Sequence, residues 1–362
     1  MARKRLREGF TTGSAAAAAA KAALLFLGGK RPGEVEIPLP VGGRLRIPIR
    51  SVMIEGTGAR ATVVKDGGDD PDVTNKATIG ATVFLETTGG GILIEGGKGV
   101  GKVTRRGLPV EPGQAAINPV PRQQISDALS EGMAEAGLTG AIRAVIDVED
   151  GEEIAKRTLN PRLGIIGGIS ILGTRGTVKP FSHESYRETI RISMNVARQA
   201  GLESIGLSTG GKSEGFLRRL RPDLPEISFV QVADFFSFSL KEAAERGFND
   251  ILYACFFGKL VKMAKGHEYT HAKESRIDFE LLSQWCRIHR MERRKLQGVR
   301  NANTAREALS IIREDPGGNA ILKHVLGEAL RNARSYAGPI PKLAFYLFDV
   351  DGTLLGVANE AG

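Results

Sequence analysis

Cysteine is nearly missing: the 362 residues hold two, Cys255 and Cys286. That excludes a disulfide framework and a thiolate metal cluster, and it makes a reducing cytoplasm the expected setting. Aromatic residues are also scarce, at 6%, and no basic stretch is interleaved with them. A base-stacking surface therefore has little support. Long apolar runs are lacking. The longest, residues 15–27, is interrupted by Lys21 and falls far short of a membrane span. With the basic residues 3–7 ahead of it, this run loosely imitates a secretory leader. The polar residues 8–14 stand between the two, so no targeting role is expected. Acidic residues number 41 against 50 basic ones, a net charge of +9. Such a balance suits a polyanionic partner: nucleic acid, a phosphorylated molecule or a polycarboxylate.

Glycine, by contrast, is abundant at 46 residues. It is dense in residues 160–179, NPRLGIIGGISILGTRGTVK, where Gly164, Gly167, Gly168, Gly173 and Gly176 punctuate short β-branched runs. These runs are too short and too branched to favour a helix, which predicts buried strands joined by tight turns. Arg162 and Arg175 bracket the segment. The chain changes character here. Before it, strand and turn signals dominate; after it, helices and strands alternate. The expected architecture has two domains. A strand-rich N-terminal α+β domain spans residues 1–179, and a parallel-sheet α/β domain of Rossmann-like type spans 180–335. The FDVDGTL stretch near the end is read as a hairpin turning at Asp351-Gly352. This terminal hairpin, residues 340–362, is a candidate to rejoin the first domain.

Ligands in open α/β sheets bind beyond the carboxyl ends of the strands. Three groups collect there in the second half: the loop Thr209-Gly210-Gly211, Asp234 past the next strand, and Gly258-Lys259. The acidic residue follows the glycine loop at the distance that suits ribose hydroxyls. A purely structural strand–helix turn would use the same glycines. In the first half, Thr11-Thr12-Gly13-Ser14 opens the alanine-rich run and offers either plain helix caps or an anion site. Asp66, Asp69, Asp70 and Asp72 cluster in a turn that fits a hard cation, ribose hydroxyls or a sulfonium, or a sharp bend alone.

Some matches are imperfect. GGKGVGKV at 96–103 lacks the hydroxyl residue after its lysine that a P-loop needs, since Val103 stands there. His267-Glu268-Tyr269-Thr270-His271 fits the H-E-x-x-H zinc spacing, but Gly266 precedes it and no third ligand is evident. No protein-bound metal is expected. The basic stretch 287–300 reads as a solvated face, or as support for a nucleic-acid-binding protein without catalysis.

Taken together, GFTTGSAAAAAAKAA at 9–23, VVKDGGDDPDVT at 63–74, INPVPR at 117–122, NPRLGIIGGISILGTRG at 160–176 and GKLVKMAKG at 258–266 followed by Thr270-His271 resemble one family. It is the cobalt-precorrin-5B C(1)-methyltransferases of anaerobic cobalamin biosynthesis. The resemblance implies methyl transfer from S-adenosylmethionine to carbon 1 of a cobalt-containing tetrapyrrole rich in carboxylates, in the cytoplasm, without nucleic acid or membrane. Within that implication, Thr209, Gly210, Gly211, Asp234, Gly258 and Lys259 are expected to bind the cofactor. Thr11, Thr12, Ser14, Arg122, Arg162 and Arg175 are expected to meet the substrate, with Lys179 near them. His271, Asp66 and Asp69 are candidates for proton removal. Two positions depart from the family pattern: Phe256-Phe257 precede Gly258 where smaller or polar residues are expected, and Ala15 follows Ser14 where a cysteine is frequent.

Overall fold

The structure is a computed structural model that describes residues 6–86, 90–339 and 341–359. Residues 3–5 of the basic start, and 340 and 360–362 of the terminal hairpin, lie outside the described residues. The chain divides into two compact units, Met1–His183 and Glu184–Gly362.

The first unit is built around one helix. Strand β1 (Gly9–Phe10) leads into α1 (Thr12–Leu27), and β2 (Glu34–Pro38) with β3 (Arg44–Pro48) forms a hairpin. Strands β4 (Ser51–Glu55), β5 (Gly58–Val64), β6 (Thr78–Glu86) and β7 (Ile92–Gly96) follow, then the short β8 (Gly99–Val100) and β9 (Lys102–Val103). Helix α2 (Pro119–Ala136) and β10 (Ala141–Val148) come next. Short helices α3 (Gly151–Ala155) and α4 (Asn160–Leu163) precede β11 (Ile165–Ile166), β12 (Gly168–Ile169) and β13 (Thr177–Val178). The main sheet has the order β4-β5-β6-β10-β7; its pairs are antiparallel except β10 with β7.

Helix α1 lies on this sheet with α2 and β2 packed around it. Every residue from Thr12 to Leu25 is buried, so the helix has no exposed stripe. Its alanines face a sheet surface that is itself small: Ala59, Ala61, Ala81 and Ala144 are fully buried, with Val63, Ile79, Val83 and Ile146 between them. Small residues on both sides let helix and sheet approach closely at native packing density. Lys21 keeps its charge satisfied at the helix edge through the Glu36 carbonyl (2.8 Å) and Glu131 (3.2 Å).

The glycine-dense segment is the seam of this unit. Strand β11 pairs with β9, β12 with β8, Ile171 bridges Ile117, and β13 pairs with β1. A Cβ on Gly168 would sit 2.1 Å from the Gly99 carbonyl oxygen, so this crossing admits only glycine.

The second unit begins with α5 (His183–Gln199) and alternates: β14 (Ser204–Ser208), α6 (Gly211–Leu220), β15 (Phe229–Gln231), α7 (Phe236–Glu245), β16 (Asp250–Phe256) and α8 (Phe257–Ala264). Helices α9 (Phe279–Ile288), α10 (Arg293–Arg300), α11 (Ala305–Arg313) and α12 (Gly318–Ala337) precede β17 (Lys342–Phe348) and β18 (Leu354–Asn359). The sheet order is β15-β14-β16-β17-β18, parallel through the first four and antiparallel at the last pair. Both units are therefore mixed α/β structures, with sheets of mixed strand direction. Along β16, Ile251, Tyr253 and Cys255 enter the large helical core, while Leu252 and Ala254 join a smaller cluster beneath α6. That alternation is the period-two signature of a strand buried on both faces.

The terminal hairpin is placed differently from the expectation. It does not rejoin the first unit: β17 adds to β16 in parallel and β18 closes the same sheet. The apolar side chains of β17, Leu343, Phe345 and Leu347, complete the core of the second unit. The turn itself spans Asp349 to Thr353, whose backbones pair at 2.8 Å.

Candidate functional site

The loop after β14 is held from below. The Thr209 N–H donates to the Ala254 carbonyl (3.2 Å), and the Ser213 hydroxyl donates to the Gly210 carbonyl (2.9 Å). Gly210 is extended, at φ 165°. A Cβ there would meet no atom within 4 Å, and one on Gly211 would meet only the Gln231 side-chain nitrogen at 3.7 Å. Neither conformation nor packing asks for glycine at 210, so the space in front of the α6 N-terminus is open to a ligand.

One strand over, the chain leaves β15 through Ala233, whose φ of +48° is unusual for a residue with a side chain. Such a conformation costs about 1 kcal/mol or more and marks a turn that its surroundings enforce. It presents Asp234. The carboxylate forms an ion pair with Lys259 and accepts the Thr270 hydroxyl at 3.0 Å, both on Oδ1. Among the described residues, no hydrogen bond falls on Oδ2, which leaves that oxygen to accept from a ligand hydroxyl. Thr270 is locked in turn: its N–H donates to the Asp234 carbonyl (3.0 Å), and its own carbonyl accepts from Lys262 (2.8 Å). Burial, with the Lys259 charge adding to it, pushes the Lys262 ammonium below its ordinary pKa.

Aromatic rings flank this acid. Tyr186 stacks on Phe235 (5.4 Å between centroids), Phe235 meets Tyr269 (5.0 Å), and Tyr269 stacks on His271 (6.0 Å). The Tyr186 phenol is raised above its ordinary pKa by burial, then by the charges of Asp234 and Glu214. His271 accepts the Lys273 N–H on Nδ1 (3.2 Å). The neutral ring therefore carries its proton on Nε2 and offers a donor there; to act as a base at Nε2 it would give up that bond.

Gly258 has a packing reason. Helix α8 packs on α11, and a Cβ on Gly258 would lie 3.2 Å from that of Ala305. Phe257 enters the main core and Phe256 the cluster beneath α6, so both bulky residues have structural partners. Residues 267–271 form no helix, so His267 and His271 do not share a helix face as the zinc pattern requires. In the basic stretch, Lys295 pairs with Asp315 and Arg300 with Glu280.

The candidates of the first unit are mostly engaged with the protein itself. Asp66 holds the Arg7 guanidinium with both oxygens, and that bond leads the causes that keep its carboxyl below the usual range. Asp69 accepts the Arg7 N–H (2.7 Å), and Asp70 accepts the Phe181 N–H (2.9 Å). Asp72 takes the buried Lys65 ammonium at 2.5 Å. Cβ atoms on Gly9 or Gly68 would collide with the opposing backbone at 2.3 and 2.2 Å, so the two loops interlock main chain to main chain. Thr11 caps the Ser14 N–H (3.2 Å), Thr12 accepts from the Leu172 N–H (2.9 Å), and Ser14 donates to the Gly176 carbonyl (2.7 Å). All three are buried. Arg175 is exposed and Arg162 half-buried, whereas Arg122 is half-buried and donates to the Ile94 carbonyl (2.7 Å).

The structure thus brings Thr209, Gly210, Gly211, Asp234 and Lys259 to adjacent strand ends of one sheet, and places Asp66 and Asp69 in the other unit. Sequence reasoning gave no weight to Tyr186, Thr270 as the clamp on Asp234, or Lys262. The last had a signal, since it sits one helical turn from Lys259.

A parallel sheet with an open glycine loop and a clamped acid at its strand ends is the layout of an α/β enzyme. Residues 1–180 match the family described as CbiD, and residues 269–359 match the one described as CbiD, C-terminal domain. A cobalt-precorrin-5B C(1)-methyltransferase of Nitratidesulfovibrio vulgaris strain Hildenborough is 48% identical over 98% of this chain and 93% of its own. The one of Geobacillus kaustophilus is 42% identical over 99% and 96%. A crystal structure of the cobalamin biosynthesis protein CbiD from Archaeoglobus fulgidus is 32% identical, covering 74% of this chain and 83% of that one, with a TM-score of 0.40. The chain belongs to the CbiD family of cobalt-precorrin-5B C(1)-methyltransferases.

Proposed function

We propose that this chain methylates carbon 1 of cobalt-precorrin-5B in anaerobic cobalamin biosynthesis, with S-adenosylmethionine as the donor held at the strand ends of a Rossmann-like second unit. The observation that carries the reaction is the 48% identity, across nearly the whole chain, to a relative of that name. The donor site is supported by the open Gly210 and by the unused Oδ2 of Asp234.

The residues present fit such a donor. Asp234 Oδ2 would take ribose hydroxyls, the N–H groups at the α6 N-terminus and Gly210-Gly211 would lie along the amino-acid part, and Tyr186, Phe235 and Tyr269 offer ring faces to a cation. When bound, the donor supplies a methyl group on a positively charged sulfur, and the acceptor carbon supplies the electron pair. The protein's part is alignment and exclusion of water rather than nucleophilic attack. Lys259 and Thr270 fix the Asp234 carboxylate, and His271 Nε2 presents a proton donor beside the aromatic row. Nucleic-acid binding finds no support in the fold or the relatives.

Calorimetric titration of the full chain with S-adenosylhomocysteine tests the donor site. One-to-one binding in the micromolar range that is lost in Asp234→Ala and in Gly210→Ala supports it. Binding that survives both changes removes the site from this position while leaving the family's reaction in place.

A further inference from the structure

In the first unit a cleft of about 640 Å³ opens beside the end of β7, with Glu95, Gly101, Lys102, Gln114 and Arg122 among its walls. That is ample for part of an organic ligand. Arg122 stands in the first turn of α2, which contains no acidic residue. Its guanidinium is half-buried and gives one hydrogen bond, from Nη1 to the Ile94 carbonyl. Among the described residues no carboxylate pairs with it. Glu95, the acid in the same wall, reaches instead toward Arg143 at 3.5 Å. Burial alone lowers the Arg122 pKa, with no acidic neighbour to offset it. Lys102 lies exposed on the rim and forms no ion pair among the described residues.

A desolvated guanidinium is normally matched by an anion, because an unpaired buried charge is costly. Here the protein supplies none, Arg122 lines the cleft with its other N–H donors unpartnered among the described residues, and a second cation, the exposed Lys102, lines it too. From this geometry we infer that the cleft is a carboxylate subsite, in which Arg122 receives an acid side arm of the tetrapyrrole substrate and Lys102 adds charge at the entrance. The assignment of that acid to a tetrapyrrole rests on the proposed function; the anion site itself does not. A planar fork suits a carboxylate better than a point charge does, so Arg122→Lys is a conservative change in charge only.

The test is titration of the full chain with dicyanocobyrinic acid, whose arms are free acids, and with dicyanocobinamide, whose arms are amides. The wild-type chain is expected to bind the acid more tightly. Arg122→Gln should weaken the acid about tenfold or more while leaving the amide unchanged. Arg122→Lys should fall between, and Lys102→Ala should lose less. Thermal unfolding of each variant keeps folding defects apart from binding. Equal loss of acid and amide, acid binding indifferent to Arg122, or no binding of either corrinoid by the wild-type chain overturns the inference. S-adenosylhomocysteine binding is followed in the same variants and should not change. An acid preference that depends on Arg122 in a chain that ignores S-adenosylhomocysteine sustains the subsite and removes the donor site.

Discussion

Two helix N-termini in this chain look alike in sequence and differ in the fold. Both carry a Thr-Gly pair with serine close by, Thr12-Gly13 in the first turn of α1 and Thr209-Gly210 just ahead of α6. At α1 the hydroxyls are buried, Thr11 bonds to Ser14 while Thr12 and Ser14 bond to the loop 170–176, and the Gly13 N–H donates to the Leu172 carbonyl. At α6 the glycines face open space. One end is closed by the chain itself; the other is left to be closed by something else. A capping signature therefore marks a helix start, and only its surroundings decide whether it is a binding site.

The contrast extends to charge and can be attacked in order of effect. In the first unit Lys65 is buried to 2% exposure and answered by Asp72. Asp72→Ala strands that charge and should cost about 3–5 kcal/mol in denaturant unfolding. A loss under about 1 kcal/mol would show that water reaches Lys65. Ala18→Leu in α1 adds bulk between two close layers and should cost about 1–3 kcal/mol. The N-termini come next. Thr11→Ala removes a cap and should cost about 1 kcal/mol without touching cofactor affinity. Gly210→Ala meets no neighbour and should shift stability by under about 0.5 kcal/mol while abolishing binding of S-adenosylhomocysteine. If the two variants behave alike, the distinction between the ends fails.

The smallest effect is one of pH. Burial, with the Lys265 and Lys262 charges, holds His267 below its ordinary 6.5, and burial does the same for His324. Depressed pKa values mean the unfolded chain takes up protons first, so the second unit should begin to lose stability as pH falls through about 6.5. Asp66, paired with Arg7, and Asp72, where burial is the largest influence but is outweighed by the Lys65 charge and the bonds from Lys65 and Thr74 together, are depressed carboxyls; the first unit should hold until pH nears 4 and then weaken. Melting curves followed with Trp285, which lies in the second unit, separate the two windows.

Much of this was legible beforehand. The alternation after residue 200 gave the strand and helix order, and the glycine loop, Asp234 and Lys259 fell on adjacent strand ends because that order dictates where the ends lie. The destination of the terminal hairpin was not legible, since a strand pattern does not name its partner. Nor were the engagements of Asp66, Asp69 and the α1 hydroxyls: their partners, Arg7, Leu172 and Gly176, lie far along the chain or on backbone atoms that leave no mark in sequence. The missing counter-charge of Arg122 was hidden for the same reason, as it depends on where Glu95 points.

The alanine helix at the centre of the first unit has a consequence in time. Because α1 is enclosed on every side, its amides are reached by solvent only when the layers around it come apart. In deuterium exchange the amides of residues 16–23 should be the slowest of the first unit, and their rate should report the global opening of that unit rather than any local breathing.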